Sequence, residues 1–249
     1  MAGHSKFKNI MHRKGAQDKK RAKIFSRLGR EISVAVKEGG PDPEKNIRLR
    51  SAVGSAKSLN MPKDNIERAI KKGEGNDSDS NYEEVRYEGY GPDGVAIIVE
   101  ALTNNKNRTA AEVRSTFSKY GGNLGETGSV SFGFKRLGII TLNKNNIHEE
   151  ELFDFIIENG SEDYELNEDE YNIYCDQTIL HQLNQKIIER FGPTNFTGLI
   201  WKSENEISVS KEKAETLFKL LNILEENEDV QVVSSNFDVS DDILTTLTA

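Results

Sequence analysis

The chain is poor in the residues that build crosslinked, metal-bound or membrane-spanning proteins. Its 249 residues include one cysteine, Cys175, and four histidines, so neither a disulfide framework nor a structural zinc site is expected. No stretch approaches the ~18 consecutive apolar residues that a membrane span needs. The N-terminus lacks the apolar core of a secretory signal. It is basic enough to resemble a mitochondrial presequence, but the basic run continues into the first predicted helix, which favours a cytoplasmic protein.

The charges are distributed unevenly along the chain. Residues 1–72 hold 19 Lys and Arg against 7 Asp and Glu, a net charge of +12, whereas residues 73–249 hold 14 against 34, a net charge of −20. Such a split indicates a part that faces nucleic acid and is attached to an acidic remainder. The apolar share of 35% suits several small cores better than one large core.

The N-terminal third is predicted to be helical. Residues 1–20 show no sustained apolar period and are predicted to form a flexible basic arm. Residues 21–76 are predicted to form a basic bundle of three helices, over Asp18–Lys37, over Pro43–Leu59 and from Pro62, because apolar residues recur there at helical spacing. The predicted inward faces are Ile24, Leu28, Ile32 and Ala35; Ile47, Ala52, Val53 and Ala56; and Ile66, Ala69 and Ile70.

The acidic remainder is predicted to contain two α/β-sandwich domains. Residues 137–203 follow the order β-α-β-β-α-β, which is that of the ferredoxin-like fold. Residues 82–136 offer one helix, and residues 204–249 add the helix (Lys211–Glu226) and the strand (Val230–Ser234) that this part lacks. We therefore predict an α+β multidomain protein in which the ferredoxin-like domain 137–203 is inserted into a domain of 82–136 plus 204–249. Within the latter we expect a strand over Ser129–Phe134 and a helix over Arg108–Tyr120 that buries Ala111, Val113 and Phe117.

Twelve sequence blocks, from Met1–Ile10 and His12–Lys14 through Tyr87–Pro92 to Asn236–Val239, resemble the YebC family. Phe7 stands where the family usually has a tryptophan, and Met11 where it usually has a lysine. The blocks run from the first residue almost to the C-terminus and are specific in combination. They are Met1–Ile10, His12–Lys14, Gln17-Asp18, Lys23–Phe25, Arg30–Ile32, Asn60–Asp64, Ile66–Ile70, Tyr87–Pro92, Asn107–Thr109, Gly121–Gly125, Gly128–Val130 and Asn236–Val239.

The resemblance implies a three-domain cytoplasmic protein without a cofactor. Members of the family have been assigned two roles, which are DNA-binding transcriptional regulation and ribosome-associated help with translation, as in the related mitochondrial translational activators. The first role predicts a DNA partner and the second predicts ribosomal RNA. The acidic domains would set the orientation or recruit a protein partner, and the chain is expected to be a monomer.

The basic N-terminus is the strongest functional signal. Residues 1–30 hold ten Lys and Arg against one acidic residue, and such cations neutralise phosphates and release counterions. The third helix also begins with polar residues, as does a helix that enters the major groove, although folded RNA would suit the arm at least as well. The candidate nucleic-acid contacts are Lys6, Lys8, Arg13, Lys14, Lys19, Lys20, Arg21, Lys23, Arg27, Arg30, Lys63 and Arg68.

Other motifs are weaker, and none predicts catalysis or metal binding. Gly121–Gly128 lacks the Gly-Lys-Ser/Thr ending of a nucleotide-binding loop and is better explained as a helix cap and turn, with a docking role left open. The loop Asn104–Thr109 is a candidate second contact for phosphate or protein, or Thr109 simply caps the next helix. Five rings either face a partner or, as strand alternation favours for most of them, fill a core: Tyr82, Tyr87, Tyr90, Phe132 and Phe134.

Overall fold

Three helices at the N-terminus pack into a small bundle. The computed structural model describes residues 17–75, 81–144, 147–167, 169–240 and 243. The core of the bundle contains Ile32 and Ala35 from the first helix, Leu49 from the second and Ile66 from the third, all buried. The helices are α1 (Gln17–Gly39), α2 (Ile47–Ser58) and α3 (Lys63–Glu74).

A glycine allows α1 and α3 to approach closely. A Cβ atom at Gly73 would lie 2.5 Å from the carbonyl oxygen of Ser33 and 2.7 Å from Cβ of Val36. At this crossing, the hydroxyl of Ser33 donates to the carbonyl of Ala69 at 2.8 Å. The contact therefore requires a residue without a side chain in α3.

The start of α2 differs from the prediction. Asn46 precedes the helix, and its Oδ1 accepts the N–H of Leu49 at 3.0 Å while its Nδ2 donates to the carbonyl of Ala35 at 2.6 Å. This cap starts the helix at Ile47 rather than at Pro43 and turns Leu49 into the core. The prediction that Ile47 faces inward was wrong, because its side chain is 61% exposed.

The next part of the chain forms an antiparallel sheet with two helices. The strand order is β3-β1-β2-β9. The core includes Ile97 and Val99 from the second strand and Leu217 and Leu221 from the helix Lys211–Glu226, all buried. The elements are β1 (Glu83–Tyr90), β2 (Ala96–Thr103), α4 (Lys106–Lys119), β3 (Asn123–Leu124), β8 (Ile207–Ser208), α7 (Lys211–Glu226), β9 (Val230–Ser235) and β10 (Phe237–Asp238), with β8 and β10 paired in parallel.

Two expectations for this sheet were wrong. Residues 129–133 form a turn and a short 3-10 segment, Ser131–Gly133, and the next strand begins only at Phe134. Asn105 caps α4 by accepting the N–H of Arg108 at 3.1 Å. The helix therefore begins two residues earlier than predicted, and its buried face contains Thr109, Val113 and Phe117, while Ala111 is exposed.

The inserted part has the predicted ferredoxin-like order. Its strands are arranged β5-β6-β4-β7, which places the first and third strands at the centre of the sheet. Ile140, Leu152, Ile173 and Ile187 are buried in its core. The elements are β4 (Phe134–Asn143), α5 (Glu149–Glu158), β5 (Ser161–Leu166), β6 (Glu170–Cys175), α6 (Leu180–Phe191) and β7 (Phe196–Ser203).

The chain divides into two compact units. One comprises the helical bundle and the α/β domain, and the other comprises Lys57–Asn60 and Arg136–Trp201. The protein is thus an α+β multidomain chain in which a ferredoxin-like domain interrupts a second α/β-sandwich domain. The candidate site residues that the structure describes all lie in the first unit.

Candidate nucleic-acid interface

Two of the predicted contact residues face the α/β domain. Nη2 of Arg27 donates to the carbonyl oxygen of Glu225, and Nη1 of Arg30 donates to the carbonyl oxygen of Glu228 at 2.5 Å. Glu225 lies in the last turn of α7, where the helix dipole and the unpaired carbonyls favour cations, and Glu228 lies two residues beyond the end of the helix. The two arginines therefore hold the bundle and the α/β domain together.

Asp229 is the centre of this connection. Only 5% of its side chain is exposed, and its carboxylate accepts from Arg30 at 3.0 Å, from Arg108 at 2.6 Å, from Thr109 at 2.7 Å and from Thr103 at 3.1 Å. Burial acts to raise the pKa of Asp229, but the hydrogen bonds from Arg108, Thr109 and Thr103 outweigh it, so the pKa lies below its usual value. The carboxylate is thus held ionised between the first helix of the bundle and the start of α4.

The polar loop Asn104–Thr109 is therefore part of this network. Arg108 pairs with Asp229 and Lys106 pairs with Glu83. Thr109 is fully buried, and its hydroxyl donates to the carboxylate of Asp229. The structure thus gives both cations of this loop intramolecular partners.

Further polar contacts cross between the bundle and the first strand. Arg48 contacts Glu31 at 2.7 Å, Glu38 at 2.7 Å and Glu84 at 2.5 Å. Burial acts to lower the pKa of Arg48, but the surrounding carboxylates raise it above its usual value. The guanidinium of Arg30 also lies 5.5 Å from the centre of the Tyr82 ring.

Arg21 and Lys23, in the turn of α1 before Arg27, are exposed and partly exposed, respectively. Arg21 is exposed and stacks at 5.5 Å on the ring of Phe25. Lys23 is half-buried, and its pKa is lowered by burial and by the neighbouring Arg27, against the opposite effect of Glu226. Lys19 and Lys20 belong to α1, and their side chains lie outside the described part of the structure. Lys6, Lys8, Arg13 and Lys14 lie outside the described residues.

The outer face of α3 carries charges of both signs. Lys63 is 88% exposed and pairs with Glu67 at 3.4 Å. Arg68 is also exposed, as is Asp64 in the first turn. Residues 63–74 contain four Lys and Arg against three acidic residues. This face therefore has much less positive charge than residues 1–30.

The glycine-rich segment and the residues after it form a loop that is anchored by hydrogen bonds to the side chain of Glu88. The side chain of Glu88 is fully buried, and its Oε2 accepts the N–H groups of Val130 at 3.0 Å and Ser131 at 2.9 Å. Burial acts to raise the pKa of this carboxyl, but the backbone N–H groups of Val130, Gly128 and Ser131 and the nearby Arg86 keep it below its usual value. The N–H groups of Val130 and Ser131 therefore donate to Glu88 and are not available for pairing with a neighbouring strand. This explains why residues 129–133 do not form the predicted strand.

Sequence reasoning missed three residues that organise these surfaces. Asp229, Arg48 and Glu88 each join segments that are far apart in sequence. Glu88 offered one signal, since it is an acidic residue in a strand whose neighbours alternate toward a core. Asp229 and Arg48 are charged residues of ordinary spacing, and only the tertiary fold shows their partners.

The described part of the chain offers few groups suited to metal binding, membrane insertion or thiol chemistry. No cluster of three or more His, Cys, Asp or Glu residues there could hold a metal ion. None of its helices is long and apolar enough to span a bilayer. Cys175 is fully buried, and burial raises the pKa of its thiol to about 11, so the thiol is packed and protonated at neutral pH.

Comparison with known proteins places the chain in a family. Residues 5–76 match the model of the TACO1/YebC protein N-terminal domain, and residues 82–237 match the model named Transcrip_reg, the TACO1/YebC second and third domain. A crystal structure of a conserved hypothetical protein from Aquifex aeolicus is 45% identical in sequence, with a TM-score of 0.84 over 90% of this chain and 93% of that chain. Since the two models together cover most of the sequence, the chain belongs to the TACO1/YebC family.

Proposed function

We propose that this protein is a nucleic-acid-binding regulator that contacts phosphates through residues 1–23. The observation that carries the proposal is the difference between the cations of α1 whose side chains the structure describes. Arg27 and Arg30 are used in domain contacts, while Arg21 is exposed and continues the basic stretch that precedes it. Eight of the ten cations in residues 1–30 lie in residues 1–23. Cations at this density supply affinity for phosphates with little dependence on sequence.

Duplex DNA, and with it transcriptional regulation, is one candidate target. It is supported by the name Transcrip_reg that the matching family model carries and by a three-helix bundle that exposes Lys63 and Arg68 on its third helix. In this case α3 would enter the major groove, where arginine and lysine side chains read guanine.

Structured RNA, including ribosomal RNA, is the second candidate, and the geometry supports it better. A helix that enters a groove must approach phosphates on both sides, but Asp64 and Glu67 lie on the outer face of α3 and Lys63 is already paired. A basic segment that precedes a helix suits folded RNA, where phosphates are irregularly spaced and bases are splayed out. This candidate makes regulation of translation the biological role.

Direct competition between the two targets tests the proposal. Labelled full-length protein is offered ribosomes and duplex DNA at matched phosphate concentration and physiological salt, and its partition is read by sedimentation. Partition to ribosomes supports the RNA target, and sequence-dependent partition to DNA supports transcription. Binding to neither would contradict the proposed function.

A matched pair of variants locates the surface. Arg21→Ala with Lys23→Ala removes two cations of the proposed site, and Lys211→Ala with Lys213→Ala removes two exposed cations at the start of α7. We expect the first pair to weaken binding about tenfold, since each lost phosphate contact costs on the order of 0.5–1 kcal/mol. The second pair should leave binding unchanged, and equal losses in the two pairs would show that net charge alone governs affinity.

A further inference from the structure

One aromatic ring projects from the loop anchored by Glu88. The side chain of Phe132 is 79% exposed, the largest fraction among the large apolar side chains in the described part of the chain. Val130 and Phe134, two residues before and after it, are buried. A phenylalanine left in water forgoes the free energy of burying its ring, so this position calls for an explanation.

The loop holds the ring in a fixed place. Glu88 accepts the N–H groups of Val130 and Ser131 on one side of the ring. On the other side, the N–H of Gly133 donates to the carbonyl of Val130 at 3.1 Å, and the carbonyl of Gly133 accepts the N–H of Glu204 at 3.0 Å. A ring presented on such a preordered loop binds a partner without the cost of ordering the backbone.

The rest of the loop is also fixed by contacts that need glycine. The hydroxyl of Tyr90 donates to the carbonyl of Ser129 at 3.0 Å, and the N–H of Gly125 donates to the carbonyl of Glu88 at 2.8 Å. A Cβ atom at Gly125 would lie 2.5 Å from the hydroxyl of Ser129. Gly128 has a φ of +93°, which residues with side chains rarely adopt.

The charge around the loop differs from that of the acidic remainder. Residues 106–135 contain five Lys and Arg against two acidic residues, whereas residues 73–249 as a whole contain 14 against 34. Two of the five, Lys106 and Arg108, are paired with Glu83 and Asp229, and the other three are Arg114, Lys119 and Lys135. Lys119 lies at the end of α4, directly before the glycine-rich segment, and Lys135 lies three residues after the ring. This is a locally basic stretch in an acidic part of the chain, and it favours a polyanion as the partner.

The size of the surface indicates which kind of partner. A single phenylalanine offers at most about 200 Å², whereas a stable protein interface buries about 800 Å² on each partner. The other residues of the loop are glycine, serine, threonine, the buried Val130 and the exposed Glu126, and the exposed ring of Tyr90, at the end of β1, is the other aromatic group that contacts the loop. A nucleobase, in contrast, needs one ring face and is stabilised by stacking on it.

We propose that residues 125–133 form a second nucleic-acid contact in which Phe132 stacks on an unpaired base. This inference rests on the proposed function and specifies the ligand as a strand with unstacked bases, in contrast to an intact duplex. Residues 1–23 supply phosphate contacts, and Phe132 supplies the preference for single-stranded regions.

The test uses full-length protein and a single-stranded oligonucleotide that contains 2-aminopurine, whose fluorescence falls when the base stacks. The variant Phe132→Leu keeps an apolar side chain but removes the ring, and Phe132→Trp restores a ring. The control Phe153→Leu changes another exposed phenylalanine, in the ferredoxin-like domain. A duplex of the same sequence and a strand of abasic sites report binding through phosphates alone.

We expect Phe132→Leu to abolish the quenching and to weaken single-strand binding about tenfold, in line with the loss of one stacked base. Affinity for the duplex and for the abasic strand should change less than twofold, Phe132→Trp should restore the quenching, and Phe153→Leu should behave as wild type. Equal quenching and affinity in wild type and Phe132→Leu would overturn the inference while leaving the proposed function intact. Failure of the wild type to bind any of the strands would instead contradict the proposed function, and the inference with it.

Discussion

The guanidinium of Arg30 and the carboxylate of Asp229 meet at 3.0 Å, across 199 positions of sequence. Arg30 belongs to the first helix of the basic bundle, and Asp229 lies just before the last long strand of the acidic α/β domain. The oppositely charged parts of the chain are therefore joined by a specific ion pair with neighbouring hydrogen bonds. This relationship removes Arg30 from the accessible cations and restricts the proposed phosphate contact to the residues before it.

Replacing Asp229 should destabilise the protein strongly. Asp229→Asn removes the charge that Arg30 and Arg108 share, and loss of one partner of a buried ion pair costs about 3 kcal/mol of unfolding free energy. Urea unfolding measures this change. The control Glu228→Gln alters a side chain that is 89% exposed, and it should cost less than about 0.5 kcal/mol. Similar effects of the two substitutions would contradict the central role of Asp229.

The stabilisation of the folded protein by Asp229 should also decrease at low pH. Its pKa in the folded protein lies below the usual value, so the unfolded chain binds its proton first as the pH falls. The stabilisation is complete above the unfolded value near pH ~4 and is lost as the pH falls through the folded value. The difference in unfolding free energy between wild type and Asp229→Asn should therefore be constant from pH 5 to 7, on the order of 3 kcal/mol, and shrink below pH ~4.

The crossing of α1 and α3 should not tolerate a side chain at Gly73. Gly73→Ala places a methyl group 2.5 Å from the carbonyl oxygen of Ser33, and the resulting shift of the helices should cost about 2 kcal/mol. Gly54 lies inside α2 with open space around its Cα, so Gly54→Ala should stabilise the protein by about 0.5–1 kcal/mol through helix propensity. Thermal or urea unfolding of the two variants measures these changes in stability. Stabilisation by Gly73→Ala as well as by Gly54→Ala would contradict a close contact between α1 and α3 at Gly73.

The anchored loop should loosen when Glu88 loses its charge. Glu88→Gln leaves buried N–H groups of Val130 and Ser131 with a poorer acceptor, which should cost about 2 kcal/mol. Hydrogen exchange at these two amides should accelerate more than exchange in β2. Glu126→Gln changes an exposed acid on the same loop and should leave exchange unchanged. Unchanged protection in Glu88→Gln would mean that other contacts hold the loop.

Elements with long apolar periods could be predicted from the sequence, and polar connections could not. The helix Lys211–Glu226 was predicted with the bounds that the structure has, because its apolar stripe packs on a sheet. The strand expected over Ser129–Phe134 failed because a buried carboxylate 42 positions away captures its amides. Arg27 and Arg30 share the spacing of an exposed basic stripe, and nothing local shows that a helix end nearly 200 positions away covers them.

The same limit applies to the candidate site. Charge density predicts a nucleic-acid contact at the N-terminus, because that prediction depends on composition alone. Which cations remain accessible depends on tertiary contacts, as the contrast between Arg21 and Arg30 shows. The exposure of Phe132 was unexpected for a similar reason, since strand alternation favoured a core position for most rings of this part of the chain.

The salt dependence of nucleic-acid affinity tests the central claim most directly. Full-length protein is titrated with a structured RNA and with duplex DNA over a series of salt concentrations. If six to eight cations of residues 1–23 contact phosphates, log affinity for a duplex falls with log salt at a slope of about −5 to −7, and Arg21→Ala with Lys23→Ala makes that slope less steep by about two. A slope near zero, or one that the substitutions leave unchanged, would contradict phosphate binding through this surface.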